Sequence, residues 1–250
     1  MNACDEVLSG YFMGEITGIN MNKRLNEYKA LVFDLDGTLY YQRQLRIKMA
    51  WMLGSYYLCH FWRLKELFIV KRFRETRENW EEICRGSSQD TAELEEGSLE
   101  QKQYAYVGRL MNCPPDRVRK VIETWMYEKP LKTVYETRDE ALLAIINERR
   151  EAGQSIFIFS DYPIEDKLAS LKLTVDGMYA ATDERLSELK PSPKGLRLIM
   201  EDHSLEPGDI LMIGDRMSRD GQSAVNAGCD YAILPKSKGK RKKMYEKWAE

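Results

Sequence analysis

Acidic side chains recur in this chain where short apolar runs end. Asp34 and Asp36 close the run Ala30-Leu31-Val32-Phe33 in the segment Phe33-Asp34-Leu35-Asp36-Gly37-Thr38-Leu39. Asp215 and Asp220 follow a second run, residues 209–214, in Gly214-Asp215-Arg216-Met217-Ser218-Arg219-Asp220-Gly221. Ser160 closes a third, residues 155–160, and Lys190 sits in Leu189-Lys190-Pro191-Ser192-Pro193. Any one of these acids, taken alone, reads as a turn or capping aspartate. Taken together, four carboxylates, a hydroxyl and a lysine can attack, exchange protons and offset negative charge.

That chemistry requires the residues to meet, and the runs that carry them say how. The three runs have the length and apolar density of buried parallel strands. Weaker strand candidates are residues 178–180 and 231–234. Between them lie helical patterns. Residues 138–151 place Ala141, Leu142, Ile145 and Ile146 on one face, and residues 193–203 do the same with Leu196, Ile199 and Met200. Pro193 suits a first helical turn, where its missing N–H costs nothing. Strand–helix alternation after residue 133 predicts an α/β fold, a Rossmann-like parallel sheet built from βαβ units. In such a sheet the C-terminal strand ends open on one crevice, which would gather Asp34, Asp36, Ser160, Lys190, Asp215 and Asp220. Residues 42–132 break the alternation. They read as helices only, with pauses at Gly86-Ser87-Ser88, Gly97-Ser98 and Cys113-Pro114-Pro115. The expected organisation is an N-terminal extension over 1–28, loosely ordered, an α/β core over 29–41 and 133–250, and an inserted all-helical cap over 42–132.

Composition narrows the function classes. A formal net charge of -2 leaves no global field to draw the chain to nucleic acid. The five cysteines, Cys4, Cys59, Cys84, Cys113 and Cys229, form no CxxC pair. That argues against a zinc site or disulfide framework and for a reducing compartment. No basic segment followed by an apolar run opens the sequence, so a cytoplasmic location is expected. Two histidines are too few for a histidine metal cluster; His60 reads as packed within the cap helix and His203 as a residue supporting the C-terminus of a core helix. Residues 51–70 form the most apolar stretch, but His60, Arg63, Lys65 and Glu66 interrupt it, and it is too short to cross a bilayer. It is expected as a helix buried between other cap helices; the alternative is an interfacial helix lying on a membrane. The lysine-rich tail over 236–247 reads as a solvated helix end, with contact to anionic lipid or nucleic acid as the minor reading.

Four segments in order carry a resemblance. FDLDGTL, FIFS, KPSP and GDRMSRDG resemble the four motifs of the haloacid dehalogenase-like superfamily, across the predicted core. SDYPIEDKL and GQSAVNAG look like its branch with a helical cap after the first strand. The resemblance implies a Mg2+-dependent phosphatase working through an aspartyl phosphate on Asp34, with Asp36 as general acid and base. It implies Mg2+ held by the Asp34 carboxylate, the Asp36 backbone carbonyl and the Asp215 carboxylate, with Asp220 orienting them from behind. Ser160 and Lys190 would bind the phosphoryl group. Halide leaves without a proton, so Asp36 favours phosphate chemistry over carbon–halogen cleavage. A cap that must open and close favours a small phosphorylated metabolite as substrate. Tyr40, Tyr41, Arg43 and Arg46, at the entry to the cap, are candidates to touch it. The rival readings are a phosphomutase, a phosphatase acting on a membrane-associated lipid phosphate, and a silent scaffold, which the four intact motifs oppose.

Overall fold

The structure, a computed structural model, describes residues 19–86 and 97–248. Its centre is a six-stranded sheet. The strands are β1 (Ile19–Asn20), β2 (Ala30–Phe33), β3 (Ser155–Ser160), β4 (Gly177–Ala180), β5 (Ile210–Gly214) and β6 (Asp230–Ile233), in the spatial order β1-β6-β5-β2-β3-β4. All pairings are parallel except that of β1 with β6. Every residue of β2 is buried, as expected of a central parallel strand covered on both faces. Its alternation sorts the two cores. Leu31 and Phe33 face one cluster with Leu142, Ile146 and Leu168; Ala30 and Val32 face the other with Leu196 and Ile199.

The helices are α1 (Gln42–Cys59), α2 (Lys65–Glu78), α3 (Trp80–Gly86), α4 (Leu99–Met111), α5 (Pro115–Ile122), α6 (Leu131–Glu136), α7 (Glu140–Glu151), α8 (Glu165–Leu171), α9 (Lys194–His203), α10 (Gln222–Ala227) and α11 (Lys238–Trp248). A stretch of π-helix, Glu123–Glu128, extends α5. Between β2 and α6 the described chain is helical, and it has an apolar core of its own around Ile69, Phe73, Tyr104, Val107, Val118, Ile122 and Trp125. The chain leaves the core and returns to it side by side. Tyr40 and Arg138 form an antiparallel bridge, flanked by hydrogen bonds from Tyr41 N to Thr137 O and from Asp139 N to Leu39 O, both 2.9 Å.

Three expectations are corrected. Part of the N-terminal extension is ordered. β1 closes the sheet edge, Leu25 and Tyr28 are buried, and Tyr28 Oη donates to Asp230 Oδ2 at 2.8 Å. A two-residue strand has no readable period; residues 1–18 lie outside the described residues. The basic tail is not merely solvated, because α11 buries Arg241, Met244, Tyr245 and Trp248. Their spacing is that of one helical face, hidden in the sequence by the intervening lysines. Residues 51–70 are not one buried helix. α1 ends at His60, whose Nδ1 lies 2.8 Å from Tyr56 O and so engages a terminal carbonyl. A 3-10 turn, Phe61–Arg63, then starts the chain back along α2, leaving large side chains in solvent.

Candidate active site

β2 lies between β5 and β3, at the point where strand order reverses, and the crevice beyond its C-terminal end is the expected ligand position. Asp34 leaves β2 with its N–H donating to Ile213 O at 2.9 Å, so β5 fixes where its carboxylate begins. The turn that follows needs Gly37, at φ 102°; a Cβ there would lie 2.4 Å from Asp215 Oδ2. Thr38 Oγ1 donates to Asp34 Oδ2 at 2.9 Å. From α11 the buried Arg241 guanidinium donates to Gly37 O at 2.5 Å, to Thr38 O at 2.9 Å and to Asp139 Oδ2 at 3.0 Å. A residue of the basic tail thus clamps the turn that follows the two aspartates.

Lys190 lies behind Asp34, nearly sealed from solvent. Its Nζ donates to Asp34 Oδ1 at 2.5 Å, to Asp220 Oδ1 at 2.6 Å and to Phe159 O at 3.2 Å. Its N–H donates to Asp161 Oδ1 at 2.8 Å. Burial alone would lower its pKa, but the Asp220 and Asp34 carboxylates outweigh that and hold the ammonium charged. Asp220 Oδ2 accepts from Asp215 N and Arg216 N, each at 3.0 Å. Both Asp220 oxygens are therefore occupied, Oδ1 by Lys190 and Oδ2 in shaping the Asp215 loop. Ser160, at the end of β3, accepts from Tyr162 N at 3.1 Å, which leaves its O–H as a donor.

Asp36 sits on the opposite wall. Lys167 Nζ, from α8, donates to its two oxygens at 2.6 and 2.8 Å, and Tyr40 Oη donates to Oδ1. Burial works to raise the Asp36 pKa, but the Lys167 charge and these hydrogen bonds prevail, and the carboxyl is held below its ordinary range. Lys167 and Tyr40 were not singled out for this place by the sequence. Tyr40, a candidate to touch substrate, lines the crevice and also holds Asp36. The segment SDYPIEDKL contains Lys167, but its partner lies 131 residues away. Of the other cap-entry candidates, Arg46 lines the crevice beside Asp34, Asp36 and Ser160, and Tyr41 and Arg43 do not. Tyr41 is turned to α11, with Lys238 and Arg241 over its ring.

Carboxylate oxygens of Asp34, Asp215 and Asp220 all lie within 4.8 Å of one another. Asp34 is pushed well up, by burial first and then, against Lys190, by Asp220 and Asp215. Asp215 is pushed up to about 6, by burial first and then by the Asp220 charge. Like charges crowded in a buried, oxygen-only pocket with one ammonium between them fit a hard divalent cation such as Mg2+. A proton competes for the same oxygens, so the sign of the pH effect is fixed. Above about pH 6 Asp215 is ionised and available; as pH falls through that value it takes up a proton, and Mg2+ affinity should fall by about tenfold per pH unit. Calorimetric titration of Mg2+ across that range checks this; an affinity that is flat with pH would remove Asp215 from the cation site.

A family model for haloacid dehalogenase-like hydrolases matches residues 28–228. The chain belongs to the haloacid dehalogenase-like hydrolases. Among solved structures it is similar to YfnB, a HAD-hydrolase of Bacillus subtilis bound to magnesium (16% identity, TM-score 0.55, 85% of this chain and 89% of that one). It is also similar to a 2-haloacid dehalogenase of Pseudomonas syringae pv. Tomato DC3000 (14% identity, TM-score 0.53, 83% and 86%). A third is the defluorinating L-2-haloacid dehalogenase Rha0230 (16% identity, TM-score 0.54, 87% and 86%). At these identities the likeness is one of fold. No curated protein matches the chain in sequence. This haloacid dehalogenase-like hydrolase has no described helix long and apolar enough to cross a membrane.

Proposed function

We propose that this hydrolase removes phosphate from a small-molecule phosphomonoester through an aspartyl phosphate on Asp34. The observation that carries the reading is Asp36, a second carboxylate lining the same crevice as Asp34, with its own hydrogen-bond partners in Lys167 and Tyr40. Halide departs without a proton and gives a second carboxylate no task; an alkoxide leaving group needs a proton, and the attacking water must lose one. Mg2+, held by the Asp34 and Asp215 carboxylates and the Asp36 carbonyl, would neutralise phosphate oxygens against the attacking carboxylate.

The chain's own residues account for the rest. An Asp34 oxygen bonds to phosphorus as the bond to the leaving oxygen breaks, and Asp36 delivers a proton to that oxygen. Water then attacks the aspartyl phosphate, Asp36 takes its proton, and phosphate leaves with Asp34 restored. Ser160 donates a hydrogen bond to the phosphoryl group, and Lys190 offsets its charge from behind Asp34. At rest Lys167 keeps Asp36 ionised. Asp36 takes up a proton from solvent as the incoming phosphate competes for the Lys167 ammonium, gives that proton to the leaving oxygen, takes one from the attacking water, and returns it to solvent when phosphate leaves and Lys167 re-engages.

The test is phosphate release from p-nitrophenyl phosphate and a panel of phosphorylated metabolites with Mg2+, run beside halide release from 2-haloacids. Phosphate release that stops on chelation with EDTA is expected. Halide release without phosphate release would overturn the reading, and isomerised product without free phosphate would replace it with a mutase.

A further inference from the structure

The crevice is one cavity of about 670 Å³ that runs from Asp34 and Asp36 to side chains of the cap helices. Beyond the floor its lining includes an apolar set, Met49 and Leu53 from α1, Leu67 and Val70 from α2, and Trp125 and Met126 from the π-helical stretch. Polar side chains reach it too, Gln42, Lys71, Glu75 and Glu78 with Arg46 and Arg74, and neither of these two arginines has an ion-pair partner among the described residues. An apolar chain would displace water from the apolar set.

The outer surface of the same hairpin is a second, independent feature. Trp51, Leu58, Phe61, Trp62 and Phe68 are 60 to 84% exposed. Scattered single apolar residues need no explanation, but five large ones exposed along one helical hairpin do. α1 begins and α2 ends against the core, so the turn between them is the cap's distal tip. Charge identifies what the tip fits. The hairpin, residues 42–78, holds nine arginines and lysines against three acids, Glu66, Glu75 and Glu78, in a chain whose net charge is -2. Glu66 is buried and engaged by Arg63 and Tyr57, and Glu75 lies against Lys71 and Arg72, so the hairpin as a whole carries an excess of positive charge, with Lys65 beside the aromatics of its tip. Tryptophan and phenylalanine flanked by lysine and arginine is the composition of an element that lies in the headgroup layer of an anionic bilayer.

We infer that the α1–α2 hairpin seats on an anionic membrane surface and that the cavity behind it takes a phosphomonoester with an apolar chain as leaving group. This rests on the proposed phosphatase reading and names its substrate class. An amphiphile of this kind resides in the bilayer, and docking brings the cavity to it. No described helix is long and apolar enough to cross a membrane, and attachment through surface charge should be reversible and salt-dependent.

The experiment has two arms on the full chain. In the first, the protein is sedimented with vesicles of phosphatidylcholine alone and with vesicles containing about 30% phosphatidylglycerol, at low and high salt. Binding to the anionic vesicles at low salt, lost at high salt, is expected. The exposed-residue variant Trp51→Ser/Phe61→Ser/Trp62→Ser/Phe68→Ser should lose it while retaining hydrolysis of p-nitrophenyl phosphate, which also shows that it folds. No vesicle binding, or binding indifferent to lipid charge, overturns the docking surface. So does a concentration-dependent dimer that the same variant dissolves, because the face then belongs to a second copy. In the second arm, kcat/KM is measured on ethyl, butyl, hexyl and octyl phosphate in solution. It should climb with chain length by up to about fourfold per methylene buried, and Leu53→Asp should flatten the climb. A flat series in the wild type overturns the apolar substrate class. Failure to hydrolyse any ester, p-nitrophenyl phosphate included, would instead strike the phosphatase reading beneath it.

Discussion

Asp34→Asn is expected to lower phosphate release by at least about a thousandfold, the order of loss that follows removal of a covalent nucleophile. The amide keeps the shape of the carboxylate and its place beside Thr38 Oγ1, but it cannot bond to phosphorus and leave again. The fold should survive. Burial already disfavours the Asp34 charge, so a neutral amide there relieves a cost, and Lys190 keeps Asp220 as its partner. Thermal unfolding followed by circular dichroism should therefore stay within a few degrees of the wild type. Turnover within tenfold of wild type would remove Asp34 from the mechanism, as would acid-stable labelled phosphate on the variant after a quench.

Lys190→Met should cost both stability and turnover. The ammonium is sealed between two carboxylates, and its removal leaves Asp34 and Asp220 buried beside each other without a counter-charge. Breaking a buried pair in this way costs about 3–5 kcal/mol. Loss of the charge behind the phosphoryl group should also lower turnover by about a hundred- to a thousandfold on every substrate alike. A second variant separates the two effects. Lys190→Met/Asp220→Asn should regain part of the stability, because one orphaned carboxylate is gone, and should regain no activity. Denaturant unfolding and steady-state rates measure the pair. If Lys190→Met loses activity on some substrates only, Lys190 reads the leaving group and not the phosphoryl charge.

The catalytic floor was legible in the sequence because each of its parts lies at the end of one element. An apolar run followed by Asp34-x-Asp36 names the strand, the turn and the acids in seven consecutive residues, and the same holds for Ser160 and for Asp215 with Asp220. Their convergence needed only the rule that parallel strand ends share a crevice. What escaped were two residues that hold the site from afar. Arg241 holds Gly37 across 204 positions, and Lys167 holds Asp36 across 131. Neither residue sits in a pattern of its own; Arg241 was submerged in a lysine run whose buried face, with Met244, Tyr245 and Trp248, emerges only at helical spacing. The cap hairpin escaped for a different reason. Its apolar density is that of a core helix, and only the break at His60 turns part of that density outward.

Tyr40 occupies two structures at once. Its backbone forms the bridge to Arg138 on which the cap leaves and rejoins the core, and its phenol grips Asp36. On the proposed mechanism the seam between cap and core and the proton carrier would therefore meet at one residue. A cap that moved about that bridge would change the distance from phenol to carboxylate, and with it how readily Asp36 accepts a proton. Linkage would make the relation run both ways, the protonation state of Asp36 biasing the angle at which the cap rests.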